Sequence, residues 1–129
     1  DTAGVLSTGG AARLNGCLVT GSRGGGIQLV DGAMTLADTT VTGNVDSYSG
    51  GGVWVITEEA PATLTLAGTT VVTANTAPEA SGILVWEQNS FAATLVGVSS
   101  ANVYGNFVGQ QCERTTDRST FTPVANCAF

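Results

Sequence analysis

Apolar and polar residues alternate along short runs of this chain, and the runs return in the same order. Gly-Ile-Gln-Leu-Val at 26–30 recurs as Gly-Val-Trp-Val-Ile at 52–56 and as Gly-Ile-Leu-Val-Trp at 82–86. Two further runs follow the first copy, at 34–38 and 40–44, and both recur later. Alternation with a period of two between clusters of Gly, Asn, Asp and Ser is typical of short, half-buried strands joined by turns.

Asparagine closes each copy of the third run, at Asn44, Asn75 and Asn106. A degenerate copy precedes these three, over residues 4–22. A repeat of roughly 20 to 50 residues built from short strands indicates a solenoid, in which no unit buries its apolar face alone. The sequence therefore predicts an all-β fold, a right-handed parallel β-helix of about four three-strand coils, with the hand taken from the preference for right-handed crossovers.

The same alternation predicts the core. Residues in phase with Ile27 should point inward and form ladders of similar side chains along the axis. The predicted inward residues are Ile27, Leu29, Met34, Leu36, Val41, Val53, Val55, Leu64, Leu66, Val72, Ile83, Val85, Leu95 and Val103. We expect one interior ladder to contain Leu14, Leu36, Leu66 and Leu95.

The repeat pattern ends near residue 106 and divides the single domain into coils at 1–106 and a capping tail at 107–129. Cys112 and Cys127 bracket much of this tail, and we predict a disulfide between them that pins it. A loop of this length is worth about 3 kcal/mol in the chain-entropy model. A disulfide of this kind predicts an oxidising location outside the cytoplasm.

The third cysteine, Cys17, lies in the first copy where Thr39 and Thr69 lie in later ones. A small residue at the start of a strand explains it without any special chemistry. We therefore expect Cys17 to be free, and we expect no metal site built from the three thiols.

The amino-acid composition limits the kinds of catalysis and binding that this chain could carry out. The chain of 129 residues has ten acidic residues, four arginines, no lysine and no histidine, for a net charge of −6. A basic footprint for nucleic acid or anionic membrane is absent, and so are the commonest general base and amine nucleophile. No apolar stretch approaches the roughly 20 residues that span a bilayer. The start at Asp1 suggests a mature or excised product, and no cofactor is expected.

The order of the repeated motifs resembles a known family. Gly-Gly-Gly-Ile at 24–27, Met-Thr-Leu-Ala-Asp-Thr-Thr-Val-Thr-Gly-Asn at 34–44 and Gly-Gly-Gly-Val at 50–53 are similar to the right-handed parallel β-helix repeats of polymorphic outer-membrane-type surface proteins and autotransporter-like passengers. The resemblance covers roughly residues 4–106. It implies secreted or cell-surface proteins with adhesive or structural roles. This chain differs in its small number of coils and its cysteine-bearing tail.

The outward side of the first strand in each coil is unexpectedly apolar. We call Leu6, Trp54, Ile56, Leu84 and Trp86 the apolar stripe, and we predict that it is covered, because exposed apolar patches of this size mark partner surfaces. Three covers remain open: another subunit, a sugar ring stacked on the indoles, and this chain's own tail. The tail residues available for this are Phe107, Val108, Phe121, Val124 and Phe129.

Two other outward faces carry threonine. The second face has Arg13, Thr35, Thr65 and Thr94, and the third face has Thr20, Thr42 and Thr73. Regular threonine arrays order water in ice-binding solenoids, so ice binding is one hypothesis for these two faces. Threonine is also simply a good solvent-facing strand residue, and this interpretation needs no ligand.

Acidic residues follow the first strand in three successive coils, at Asp31, Glu58 or Glu59, and Glu87. Stacked strands lie about 4.8 Å apart, so the like charges would repel, and a calcium ion would relieve that repulsion. Solvated side chains are the simpler interpretation. The same carboxylates could supply a glycosidase pair, but the sequence offers no cluster of catalytic residues in a cleft.

The function that these patterns favour is that of a non-enzymatic, secreted or cell-surface module with a structural or adhesive role. A solenoid has two open ends that recruit further strands unless they are capped, and a head-to-tail contact that does not close builds filaments. The expected partner is another copy of this chain as homo-oligomer or filament neighbour, with no nucleic acid and no membrane insertion. The alternatives are a β-helix that binds or cleaves carbohydrate, with a surface polysaccharide as partner, and an ice-binding solenoid.

Overall fold

The computed structural model describes residues 2–125 and Cys127 of the chain. Within this part, all regular structure is β-strand, and the chain makes four successive circuits before a final hairpin. The first circuit contains β1 (Val5–Thr8), β2 (Ala11–Asn15) and β3 (Leu18–Thr20), and the second contains β4 (Ile27–Val30), β5 (Gly32–Ala37) and β6 (Thr40–Thr42). The third contains β7 (Val53–Thr57), β8 (Ala62–Ala67), β9 (Val71–Thr73) and β10 (Thr76–Ala77). The fourth contains β11 (Ile83–Glu87), β12 (Ala93–Val96), β13 (Val103–Tyr104) and β14 (Phe107–Val108), and the hairpin contains β15 (Cys112–Thr115) and β16 (Thr122–Pro123).

Each circuit adds one strand to each of three parallel sheets. Sheet 1 has the order β1-β4-β7-β11-β15, sheet 2 has β2-β5-β8-β12, and sheet 3 has β3-β6-β9-β13. A short parallel pair, β10 and β14, lies at the corner between sheets 3 and 1. The prediction of an all-β chain with stacked parallel sheets is confirmed.

The register agrees with the predicted alignment in sheet 1 and sheet 3. The predicted leucine ladder is confirmed for Leu14, Leu36 and Leu66, which are consecutive partners in sheet 2. It is wrong for Leu95, whose partner is Leu64 rather than Leu66. A shift of two residues preserves the alternation, so Leu95 still faces the core and the hydrophobic pattern does not distinguish the two registers.

The same shift corrects the predicted threonine row of sheet 2. Thr94 lies beside Thr63, and Val96 takes the place beside Thr65. The connection before β12 runs over residues 88–92, whereas the connection before β8 covers residues 58–61. The one extra residue raises the sequence separation between partners from 30 in sheet 1 (Ile83 and Val53) to 31 in sheet 2 (Ala93 and Ala62).

A one-residue correction applies at the corner that precedes sheet 3. The partner of Thr39 is Thr70 and not Thr69, because the Thr39 backbone N–H donates to the Thr70 hydroxyl at 3.2 Å. The Thr39 hydroxyl in turn accepts the Cys17 backbone N–H at 3.3 Å. Thr69 instead donates its backbone N–H to Asp38. Buried hydroxyls therefore link successive circuits at this corner.

The core is the channel between the three sheets, and the predicted inward residues fill it. All of them are buried except Leu95, which is partly buried against the core. Val5, Ala12 and Leu14 in the first circuit are likewise only partly buried. The apolar core is therefore complete in the middle circuits and less fully covered in the first circuit and at Leu95.

The three asparagines form a buried ladder that ends on a glutamine. The Nδ2 of Asn44 donates to Asn75 Oδ1 and the Nδ2 of Asn75 donates to Asn106 Oδ1, both at 2.9 Å. Asn106 then donates to the Oε1 of Gln111 at 2.7 Å. Each amide also binds backbone, as when Asn75 donates to the Val41 carbonyl at 3.0 Å. Every buried amide has partners, so the ladder holds the circuits in one register.

The predicted tail contains a further rung of sheet 1. β15 pairs in parallel with β11, with Cys112 beside Ile83, and β16 then folds back antiparallel along it. Sheet 1 therefore continues beyond residue 106, the predicted end of the coils. The predicted disulfide between Cys112 and Cys127 is confirmed, with Cα atoms 5.4 Å apart, and Cys17 is free as expected.

Removing the disulfide should lower the free energy of unfolding by about 3 kcal/mol, because the bond closes a short loop in the unfolded chain. The measurement is urea unfolding of the Cys112→Ala/Cys127→Ala variant beside the parent protein. Cys17→Ser is the matched control, since this half-buried thiol is free, and we expect it to change stability by no more than about 0.5 kcal/mol. Equal midpoints for parent and double variant would show that the bond does not hold the tail.

Candidate functional site

The outer face of sheet 1 presents two rows of side chains, one strand after another. The first row is Leu6, Gln28, Trp54, Leu84 and Glu113, and the second row is Thr8, Val30, Ile56, Trp86 and Thr115. The predicted stacking of the apolar stripe is therefore what the register shows. The rows gain one member each from β15, which the sequence pattern did not include.

The middle of the apolar stripe is covered by the chain itself. Trp54 is 7% exposed, Ile56 is 5% exposed and Leu84 is fully buried, while Trp86 is half-buried. Leu6 is 62% exposed at the open N-terminal end. Of the five residues predicted for an interface between molecules, Leu6 alone is largely exposed. In the middle of the apolar stripe, the cover comes from the same chain.

Besides the buried Ala80, two segments supply this cover: the loop at 45–50 and the turn between β15 and β16. The Arg118 guanidinium of that turn lies over three rings, with its Cζ 4.5 Å from the Tyr48 centroid, 4.9 Å from Trp86 and 5.2 Å from Trp54. We call these three rings the aromatic cage. The Tyr48 hydroxyl donates to the Arg118 carbonyl, which joins the two covering segments. A cation at these distances is attracted by the negative faces of the rings.

The tail residues named as cover take different positions. Phe121 packs on the tryptophan cluster, as predicted, whereas Val124 packs against the main core. Phe107 and Val108 are exposed, because β14 lies at the corner beside β10 and does not reach sheet 1. Phe129 lies outside the described residues.

Glycine at position 50 allows the cage to form. A Cβ atom at Gly50 would lie 2.2 Å from the Trp54 ring, so the indole rests directly on backbone. The two indole rings meet edge to face with centroids 6.4 Å apart. Within the described part of the chain, the buried Nε1 atoms of both tryptophans and the Nε of Arg118 have no hydrogen-bond acceptor. The cage is therefore held by ring faces and packing.

A pair of carboxyl groups lies at the end of the first row. Glu113 is buried, and its Oε1 accepts the Ala80 backbone N–H at 2.8 Å. Burial raises the pKa of Glu79, and the charge of Glu113 and a hydrogen bond with it act in the same direction. Glu79 therefore keeps its proton to a higher pH than a solvated glutamate does. Sequence reasoning missed Glu113 because it assigned no strand at this position.

Asp117 stabilises the turn that carries Arg118. Its Oδ1 accepts the backbone N–H groups of Ser119 at 2.9 Å and Thr120 at 3.0 Å. These bonds lower the pKa of Asp117 to about 2, with the Ser119 N–H as the largest cause. The turn therefore keeps a charged Asp117 beside Arg118 at any pH near neutrality.

The acidic residues predicted to stack after the first strand do not share one register position. From one strand to the next, Thr57 lies at the position after Asp31 and Glu87 lies beside Thr57, so a threonine separates the two carboxylates. Glu58 comes one residue after Thr57 along the chain. Asp31 accepts the Glu58 backbone N–H at 2.8 Å, and Glu87 pairs with Arg114 at 3.3 Å. Among the described residues, no three acidic, cysteine or histidine side chains form a group that could hold a metal ion.

The threonine rows do not continue through the fourth circuit on sheet 3. Thr20, Thr42 and Thr73 are consecutive partners, and Tyr104 follows them. On sheet 2, Val96 ends the row that Arg13 begins. The flat, regular array that an ice surface requires is therefore interrupted on both faces.

Exposed apolar side chains concentrate in the terminal circuits. The large exposed ones are Leu6 and Leu18 in the first circuit, Val45 and Tyr48 in a loop, and Val96, Tyr104, Phe107 and Val108 in the fourth. Among the strands that the structure describes, the first strand of each sheet has one unpaired edge, and so do β12 and β13 at the other end. Sheet 1 differs at the C-terminal end, because β16 lies along its last parallel strand.

Comparison with protein-family models, curated proteins and solved structures found no match. Over the residues that the structure describes, no helix has the length and apolar character needed to cross a membrane. The buried disulfide is compatible with an extracellular or otherwise oxidising environment.

Proposed function

We propose that the chain is a right-handed parallel β-helix that serves as a non-enzymatic structural or adhesive module outside the cytoplasm, and that it associates end to end with copies of itself. Three parallel sheets visited in turn support the β-helix, and the strong preference for right-handed crossovers between parallel strands supports its hand. The disulfide between Cys112 and Cys127 supports the location.

The observation that carries the association is the state of the two ends. Unpaired strand edges offer backbone donors and acceptors to another chain, and natural proteins usually protect them with charge, proline or a covering segment. Here the first edge carries the exposed Leu6 and Leu18, and the last carries the exposed Val96 and Tyr104. Exposed apolar side chains beside open edges favour contact with a further strand.

The two ends differ, so the contact would be head-to-tail. β2 and β3 of one copy would extend sheets 2 and 3 beyond β12 and β13 of the next copy, at the ordinary strand spacing of about 4.8 Å. In sheet 1 the antiparallel β16 takes the place of such a parallel strand beside Glu113 and Arg114. A repeated contact of this heterologous kind builds filaments when it does not close into a ring. The net charge of −6 opposes it, so added salt should strengthen association.

A carbohydrate-binding role finds less support. Sugar rings stack on exposed indoles, and Trp54 is only 7% exposed beneath Arg118. The apolar stripe therefore does not offer an open platform.

Replacing Tyr104 by lysine should weaken self-association about tenfold, because the charge would lie on the exposed edge of sheet 3. The measurement is sedimentation velocity over a range of protein concentrations, with negative-stain microscopy to distinguish rings from filaments. Thr73→Lys is the matched control, since Thr73 precedes Tyr104 in the same outward row but lies on an inner strand.

The opposite end offers an independent pair of variants. Leu18→Lys alters the first edge, and Thr40→Lys alters its partner on the second strand of the same sheet. Both end variants should weaken association and both inner variants should leave it near the parent value. A parent protein that stays monomeric at all concentrations and salt levels would refute the proposal.

A further inference from the structure

The aromatic cage surrounds a cation with rings that come from three separate places. Trp54 lies on β7, Trp86 lies on β11, and Tyr48 belongs to the loop at 45–50. The two tryptophans lie on adjacent strands, where Trp54 pairs with Leu84 and Trp86 pairs with Ile56. The two indoles are thus fixed by the parallel sheet, while Tyr48 comes from a loop and the cation from a turn.

Arg118 is held in the cage by ring faces. Within the described residues its side chain makes no hydrogen bond and no ion pair, and its Nε is buried without an acceptor. The backbone of Arg118 has a φ of +61°, a conformation that is strained for a residue with a side chain. What the cage recognises is therefore a positive charge of suitable shape, and the turn that supplies it is not in a relaxed conformation.

We propose that the aromatic cage is a binding site for organic cations, namely guanidinium or quaternary ammonium groups, and that Arg118 is its built-in occupant. A quaternary ammonium group has no N–H to satisfy, and a guanidinium group enters on the same terms as Arg118 itself, so neither is at a disadvantage in a cage without acceptors. A small, strongly hydrated ion such as sodium would lose its water without replacement, so the site excludes it. The net charge of −6 attracts cations to the molecule.

The chain offers a direct readout of this site. Both of its tryptophans belong to the cage, so intrinsic tryptophan fluorescence and the two indole N–H resonances report on the cage alone. The experiment titrates the parent protein and Arg118→Ala with tetramethylammonium chloride and, separately, with methylguanidinium chloride. Sodium chloride at matched ionic strength controls for salt.

We expect Arg118→Ala to bind both organic cations saturably and the parent protein to bind them at least about tenfold more weakly, because the built-in occupant reduces the fraction of open sites. Arg13→Ala is the matched control: Arg13 lies on the outer face of sheet 2, so this variant should behave like the parent. Adding Trp86→Leu to Arg118→Ala should abolish the saturable response.

Three results would overturn the proposal: no saturation in Arg118→Ala, an equal response to sodium chloride, or equal affinity in the parent and the variant. Should Arg118→Ala fail to fold, Arg118→Gln replaces it, since glutamine keeps a long side chain without the charge. If neither variant folds, the parent protein decides: saturable shifts of both indole N–H resonances at high concentrations of the organic cation support the site, and their absence refutes it. The open ends are not involved, so these results are independent of self-association.

Discussion

Replacing Asn75 by alanine should lower the free energy of unfolding by about 4 kcal/mol, because it leaves buried polar groups without partners. Asn75 Oδ1 accepts the Asn44 backbone N–H at 3.1 Å and the Asn44 side-chain amide at 2.9 Å. Its own Nδ2 donates to the Val41 carbonyl and to Asn106 Oδ1. The loss would be a large part of the 5–15 kcal/mol that typically stabilises a domain. The measurement is urea unfolding followed by circular dichroism.

Asn15→Ala is the matched control for this substitution. Asn15 ends β2 on the first edge and is exposed, so the same chemical change should cost no more than about 0.5 kcal/mol there. A loss below about 1 kcal/mol for Asn75→Ala would mean that water replaces the ladder bonds and that the amides do not fix the register.

Replacing Trp54 by alanine should destabilise the folded chain by about 3 to 5 kcal/mol, the usual range for removing a buried tryptophan. Trp54 packs with Ile56, Ala80 and Leu84 under Arg118. Its removal opens a cavity and also deprives the guanidinium of one ring face. Thermal unfolding measured by circular dichroism would show the effect as a lower midpoint.

Tyr104→Ala is the control for the loss of an aromatic ring. Tyr104 is exposed, so its removal should change the stability of the monomer by no more than about 0.5 kcal/mol. Sedimentation should show the opposite order. Tyr104→Ala should weaken self-association, whereas Trp54→Ala should leave the self-association of its folded fraction unchanged. An unaltered midpoint for Trp54→Ala would contradict the packing described for the apolar stripe.

The circuits were predictable from sequence because two independent signals agree. Alternation with a period of two identifies which residues face inward, and the recurring Asn44, Asn75 and Asn106 identify where each circuit ends. The register of sheet 3 follows from the asparagine spacing, and its pairing of Val41 with Val72 was predicted correctly. The partner of Leu95 was not, since a displacement by two residues leaves the inward face unchanged.

The candidate site was less predictable, because it depends on segments outside the repeat. The stacking of Trp54 above Gln28 follows from the register, but the position of Arg118 depends on a hairpin that folds back over sheet 1. Gln111 continues the amide ladder with a different residue at a different spacing, so no repeat signal marks it. Glycine at 111 or serine at 118 would have left the repeat pattern equally intact.

The pairing of each circuit with only its immediate neighbours has a consequence for how the chain folds. The first two circuits meet across 22 residues of sequence, and the later ones meet across 26 to 31, as from Ile27 to Val53 and from Asn44 to Asn75. A strand of these parallel sheets cannot pair until the chain has completed a full circuit. The β15–β16 turn near the C-terminus is therefore the first place along the described chain where a local hairpin forms. Such long closures slow the first productive contact. Once two circuits are formed, every later one needs only a single finished template, and folding proceeds by propagation along the axis.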